Sequence, residues 1–136
     1  MINNPTPQNP EFQIIEGNHS DIYRGGSFEE VAKMLFESMP GFEEKLKAGG
    51  DHVNIAVDDQ GKKLGWIHYV EHDLLDGKPW LKTMEVDENH RRRGIGEALL
   101  RCALANLPSD SPIYTMPISP GAVRLLKKID DPRVKW

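Results

Sequence analysis

Val86-Asp87-Glu88-Asn89-His90-Arg91-Arg92-Arg93-Gly94-Ile95-Gly96-Glu97-Ala98-Leu99-Leu100 changes pattern twice within one short run. An apolar strand end gives way to a basic turn holding two glycines, and the turn to the head of an apolar helix. Ile95, Ala98, Leu99, Cys102, Ala103 and Leu107 recur at three- and four-residue spacing until Pro108 stops them, which predicts a helix over residues 94–107. The first amides of a helix have no partner within it and lie at the positive end of its dipole. Gly94 and Gly96 add no side chain, so a bulky group can come close to that backbone. Three arginines beside such amides form a turn suited to a polyanion, with a diphosphate the natural fit.

Outward from this stretch, the upstream residues read as strands. Residues 80–86 feed the basic turn, and residues 76–79, Asp-Gly-Lys-Pro, make a turn before them. Residues 64–71 and 52–57 alternate as a strand pair joined by hairpin chemistry over residues 58–62. A short helix is expected from Phe42 and Leu46, closing at Gly49-Gly50. Ahead of it Ser27 and Glu30 form a capping box for an amphipathic helix over residues 27–39. Residues 12–15 read as a first strand and residues 1–10 as a polar, proline-rich lead-in without a targeting pattern. Downstream, residues 113–118 read as a strand. Ser119-Pro120 then caps a last helix to Ile129, with an edge residue or two at 134–136. This order predicts an α+β domain over residues 11–136, a mostly antiparallel sheet flanked by helices.

Composition narrows the partners. The net charge is −4, which argues against nucleic acid or an acidic membrane surface, and no apolar run is long enough to span a bilayer. The single cysteine, Cys102, excludes an internal disulfide and fits a reducing cytoplasm; on the apolar helix face it reads as a packed residue. The histidines are scattered without ligand spacing, so no metal site is expected.

Arg91-Arg92-Arg93-Gly94-Ile95-Gly96 fits the R/Q-x-x-G-x-G/A signature and so resembles the GNAT family, the Gcn5-related N-acetyltransferases. Met84-Glu85-Val86 resembles that family's splayed fourth strand, whose backbone amides polarise the thioester of acetyl-CoA. The resemblance implies acetyl-CoA as co-substrate, held by Met84, Glu85, Val86, Arg91, Arg92, Arg93, Gly94, Ile95, Gly96, Glu97 and Ser119. It covers the chain to about residue 129. The family's two closing strands would be reduced or missing, leaving one side of the channel open or completed by a second copy of the chain in a homodimer.

The side-chain chemistry follows the family less closely. The positions where relatives carry a base fall on Trp80 and Lys82. The N-x-x-A-x-x-L pattern before the family's tyrosine acid becomes Ser119 to Leu125, with Leu126 where the tyrosine would stand. Glu85 and Glu71 are therefore the candidate catalytic bases, with His68 and His72 on the same strand as Glu71. An acidic chain suggests a cationic amine acceptor, small molecule or protein. Three functions stay open: an N-acetyltransferase working by direct attack in a ternary complex, a non-catalytic acyl-CoA-binding sensor or protein-interaction module, or phosphate-backbone binding, for which only the three arginines speak.

Overall fold

The computed structural model of the protein describes residues 12–18, 34, 38–73, 76–90, 94–116 and 119–136. Strand β1 spans Gln13–Gly17, helix α1 Phe42–Ala48, β2 Asp51–Val57, β3 Lys63–Val70 and β4 Trp80–Val86. A single 3-10 turn over Glu88–His90 leads toward α2, Ile95–Asn106, followed by β5 Ile113–Thr115, α3 Pro120–Ile129 and β6 Val134–Lys135. The strands form one sheet whose spatial order is the chain order. β1 to β4 run antiparallel, whereas β5 lies parallel to β4 and β6 parallel to β5. Each parallel step is crossed by a helix, as parallel neighbours require.

Local chemistry explains the joints. Asp58 accepts from the amides of Gln60 (2.9 Å) and Lys62 (2.8 Å), closing the β2–β3 hairpin. The Lys62 amide also holds the Asp58 carboxyl below its ordinary range. Ser119 Oγ accepts from the Ala122 amide at 3.1 Å, and Pro120 occupies the first helical position of α3. The C-terminal end of α2 is closed by a side chain from far along the chain. Arg133 donates to the carbonyls of Leu104 (2.8 Å) and Pro108 (2.8 Å) while pairing with Asp131 through two bonds.

The strand expected over 113–118 ends at Thr115; Pro117 and Ile118 lie outside the described residues. Of the expected helix over 27–39, Met34, Ser38 and Met39 are described, the first two helical and Met39 in a bend; the lead-in over residues 1–10 lies outside the described residues. The reduced C-terminal edge is the two-residue β6.

Helix α2 lies against β2, β3 and β4. Its Ile95, Leu99, Leu100, Ala103 and Leu104 bury against Ala56, Leu64, Ile67, Tyr69 and Leu81. Val53, Ile55 and Val57 form a second cluster with Trp66, because alternate β2 residues point to the other face. In the main core Tyr69 donates to Asn54 Oδ1 and accepts from Asn106 Nδ2 at 2.8 Å. Burial pushes its phenol up to about 12.

Candidate active site

The sheet opens at one place. β5 pairs with β4 only at Trp80↔Tyr114 and Leu81↔Thr115. From Lys82 onward, no described strand lies beside the outer edge of β4. The register between β3 and β4 slips at the same level, between His68 and Tyr69, where Lys82 is the additional residue. Beyond the slip the alternation is set by the Asp87 amide, which donates to the Leu64 carbonyl at 2.7 Å. Counting back in antiparallel steps, the peptide groups of Glu85 and Thr83 face β3, and those of Met84 and Val86 face the outer edge. A row of backbone groups therefore borders the gap between β4 and β5.

The head of α2 stands at the upper end of this gap. Gly94 has φ +80° and adopts the left-handed conformation that glycine reaches without strain; a side chain there would meet nothing within 4 Å. The first intrahelical bond runs from the Ala98 amide to the Gly94 carbonyl at 3.0 Å. The amides of Ile95, Gly96 and Glu97 thus lie in the first turn, ahead of the helical ladder. Gly96 also meets a packing need. A Cβ at Gly96 would stand 3.1 Å from Leu125 Cδ1, 3.6 Å from Val86 Cγ2 and 4.0 Å from Met84 Cε. Its missing side chain makes room for α3.

The other expected site residues fall into distinct environments. Arg91, Arg92 and Arg93 lie outside the described residues. Glu97 accepts from Arg101 Nε (2.9 Å) and pairs with Lys128 Nζ (2.8 Å); bonds to these two cations hold its carboxyl below the usual range. Its side chain therefore ties α2 to α3, leaving its backbone amide as its offering to an anion. The Ser119 hydroxyl oxygen is engaged as the cap of α3. Leu126, where the family's tyrosine would stand, is 8% exposed and belongs to the main core. Leu125 is the α3 residue that reaches Gly96.

The two glutamates expected as bases are not brought together. Glu85 is exposed on β4 opposite Trp66, on the face away from α2. Glu71 follows the far end of β3 and accepts from His52 Nε2 at 2.7 Å, and His52 stacks on Tyr69 in the opposite face. Val70 pairs with Trp80, so Met84 lies four residues further along, on the order of 15 Å from Glu71 at about 3.3 Å per residue. Sequence spacing placed both on neighbouring strands but could not reveal register or face.

A second histidine–carboxylate pair occupies the face that Glu85 shares. His68 Nε2 donates to Asp51 Oδ1 at 2.6 Å, with side chains 12% and 16% exposed. His68 stands opposite Thr83. Below it, Trp80 and Tyr114 face each other across the first β4–β5 rung, ring centroids 5.6 Å apart. The Trp80 indole donates to Asp76, and Lys82 pairs with the buried Asp73 while its ammonium lies 5.6 Å from the Trp80 ring centroid. Burial raises the Cys102 thiol, which fits a packed residue rather than a nucleophile. Among the described residues, no group of three His, Cys, Asp or Glu could hold a metal ion. No described helix is long and apolar enough to cross a membrane.

Residues 19–129 match the acetyltransferase (GNAT) family, to which the chain belongs. Among solved structures it resembles a GNAT-family acetyltransferase of Staphylococcus aureus Mu50 at 19% identity. That match covers 87% of this chain and 82% of the other, with a TM-score of 0.61. A Pyrococcus furiosus protein assigned as an acetyl transferase is 23% identical, covering 89% and 93% of the two chains at a TM-score of 0.56. The aminoglycoside N-acetyltransferase AAC(6')-Iy, solved with CoA, is 20% identical over 93% and 89%, with a TM-score of 0.53. At these identities the likeness is one of fold. A search of curated proteins found no match. Family membership makes acyl transfer the broad chemistry of this domain.

Proposed function

We propose that the protein moves an acetyl group from acetyl-CoA to a primary amine by direct attack, both substrates being bound together. The observation that carries this reading is the outward-facing peptide group of Met84 on an edge that β5 leaves uncovered after Leu81. An N–H aimed at a thioester carbonyl stabilises the charge that builds on its oxygen, and one such donor is worth about 10²–10³-fold in rate. The first-turn amides of Ile95, Gly96 and Glu97, with the charge of Arg91, Arg92 and Arg93, suit the diphosphate of the co-substrate. The CoA complex of a structural neighbour supports the choice of co-substrate. The amine's lone pair forms the new C–N bond as the C–S bond breaks, and the thiol departs with a proton.

The test is a pair of proline substitutions. Met84→Pro removes an N–H that faces the gap, and Thr83→Pro one that faces β3. The first should leave folding intact by circular dichroism and acetyl-CoA binding within a few-fold by calorimetry, while release of free thiol falls about 10²-fold. The second should damage the sheet. Undiminished turnover in a folded Met84→Pro protein would remove the role given to that amide. A wild type that takes up no acetyl-CoA would remove the whole reading.

A further inference from the structure

The proposed transfer needs the Met84 N–H and the first turn of α2 to act on one molecule, so the spacing of β4 from α2 matters. Gly65 stands where that spacing is set. It is a buried β3 residue, paired with Val86 on β4 and with Ala56 on β2. A Cβ at Gly65 would lie 2.8 Å from the Glu85 carbonyl oxygen, 3.2 Å from Val86 Cα and 3.4 Å from Leu99 Cδ1. In a regular antiparallel pair the residue opposite stays about 4.5–5.5 Å away. The end of β4 therefore fills the space that a side chain would take, and leans over Gly65 on the side where Leu99 places α2. The φ of Gly65 is not positive, so space rather than backbone conformation calls for glycine there. Gly96 receives the same segment from the helix, with Val86 Cγ2 and Met84 Cε 3.6 and 4.0 Å from where its Cβ would be. Met84 to Val86 thus lie between two absent side chains, one in β3 and one in the first turn of α2.

We infer that Gly65 is a positioning residue for the transfer proposed above. Its missing side chain lets the end of β4 lean toward α2, which aligns the Met84 N–H with a thioester whose diphosphate lies at the head of that helix. The inference rests on that reading and adds what sets the height of the polarising amide. The two ends of the co-substrate are held by different elements, the diphosphate by α2 and the thioester by β4. A methyl group added at Gly65 would meet main chain in two of its three nearest contacts, and main chain cannot rotate aside as the end of Leu99 can. Glu85 would have to retreat until the 2.8 Å contact reaches 3.4 Å, where ordinary van der Waals contact begins. Met84 and Glu85 are neighbours in one extended strand, so that retreat carries the Met84 N–H with it. A donor displaced by a fraction of an ångström from the charge it stabilises loses much of its effect, and about 1 Å can cost on the order of 10²-fold. The helix side of the contact is only the flexible end of Leu99, so the first turn of α2 keeps its hold on the diphosphate.

The experiment compares wild type, Gly65→Ala, Leu99→Val and the double variant. CoA affinity is measured by calorimetry, and thiol release with spermidine, kanamycin and a lysine-containing peptide as acceptors. Infrared difference spectroscopy reads the carbonyl stretch of bound acetyl-CoA, isotope-labelled at the acetyl carbon. Gly65→Ala should bind CoA within about twofold of wild type and lose about 10-fold or more in kcat. Its carbonyl stretch should move from the lowered position of the wild-type complex back toward that of free acetyl-CoA. Leu99→Val is the control and should match wild type. The double variant loses the contact with Leu99 and keeps those with main chain, so it should stay as slow as Gly65→Ala. It also carries the test if Gly65→Ala alone does not fold. Recovered turnover in the double variant would mean that α2 rather than β4 had moved, and overturns the inference. So does wild-type kcat with an unchanged carbonyl stretch in Gly65→Ala, or a loss that falls wholly on CoA affinity; each leaves the transferase reading standing. Failure of both glycine variants to fold overturns it as well, because Gly65 would then be a requirement of the core. A wild type that takes up no acetyl-CoA, or acetylates none of the three amines, removes the transferase reading and the inference together.

Discussion

Arg133 shows how much one side chain can hold. Helix α2 ends at Leu107 in extended backbone, without the left-handed glycine that closes many helices. The guanidinium takes over, reaching three carbonyls at the end of α2 from the turn before β6. It is itself held by Asp131, and both side chains are less than a fifth exposed. Arg133→Met should therefore cost about 2–4 kcal/mol in urea unfolding, since it strands carbonyls and a carboxylate at once. Arg133 also holds the Asp131 carboxyl below the ordinary range, chiefly through their hydrogen bond. Because the folded value is the lower one, this stabilisation is complete above the unfolded value of about 3.9 and drains away as pH falls through the folded one. Asp131→Asn should accordingly be destabilised at pH 7 and lose less stability than wild type between pH 4 and pH 2. Parallel pH curves for the two proteins would refute that linkage.

Among elements, the contact of α3 with the head of α2 has a mechanical role that spacing alone concealed. Leu125 sits where a Gly96 side chain would be, with Met84 and Val86 close by. Gly96→Val should thus push α3 away and lower both stability and acetyl-CoA affinity, so the single variant cannot separate packing from binding. The pair can. Gly96→Ala with Leu125→Ala should recover at least 1 kcal/mol relative to the sum of the two single changes, measured as a double-mutant cycle. Strict additivity would mean that the two residues do not share the space. Much at this scale was legible beforehand. Ile95 to Leu107 and Pro108 marked out α2, Ser119-Pro120 the start of α3, and Asp58 to Lys62 the hairpin. The register slip at Lys82, the Arg133 bonds and the His68–Asp51 pair were not, because each depends on which residues of distant segments come to lie opposite one another. A side chain's neighbours across a sheet leave no trace in the residues flanking it.

In the whole molecule, β2, β3, β4, α2 and α3 contribute to one continuous core that also borders the gap. Binding at the gap should therefore stabilise the domain as a unit. At one hundred times its dissociation constant, acetyl-CoA should add about 2.7 kcal/mol. The melting temperature should rise by on the order of 10 °C with a single transition. A shift confined to one of two resolved transitions would show that the site belongs to a part that melts by itself. The strand order has a consequence for how the domain comes into being. Each strand lies beside the one made just before it, from β1 through β6. On a ribosome no strand need wait for a distant partner or slip between two already placed, so the sheet can grow by addition at one edge as the chain emerges. The guanidinium of Arg133 arrives after β5 and α3 and reaches back to a helix finished about thirty residues earlier. The latch of α2 is thus delivered well after the helix that it closes.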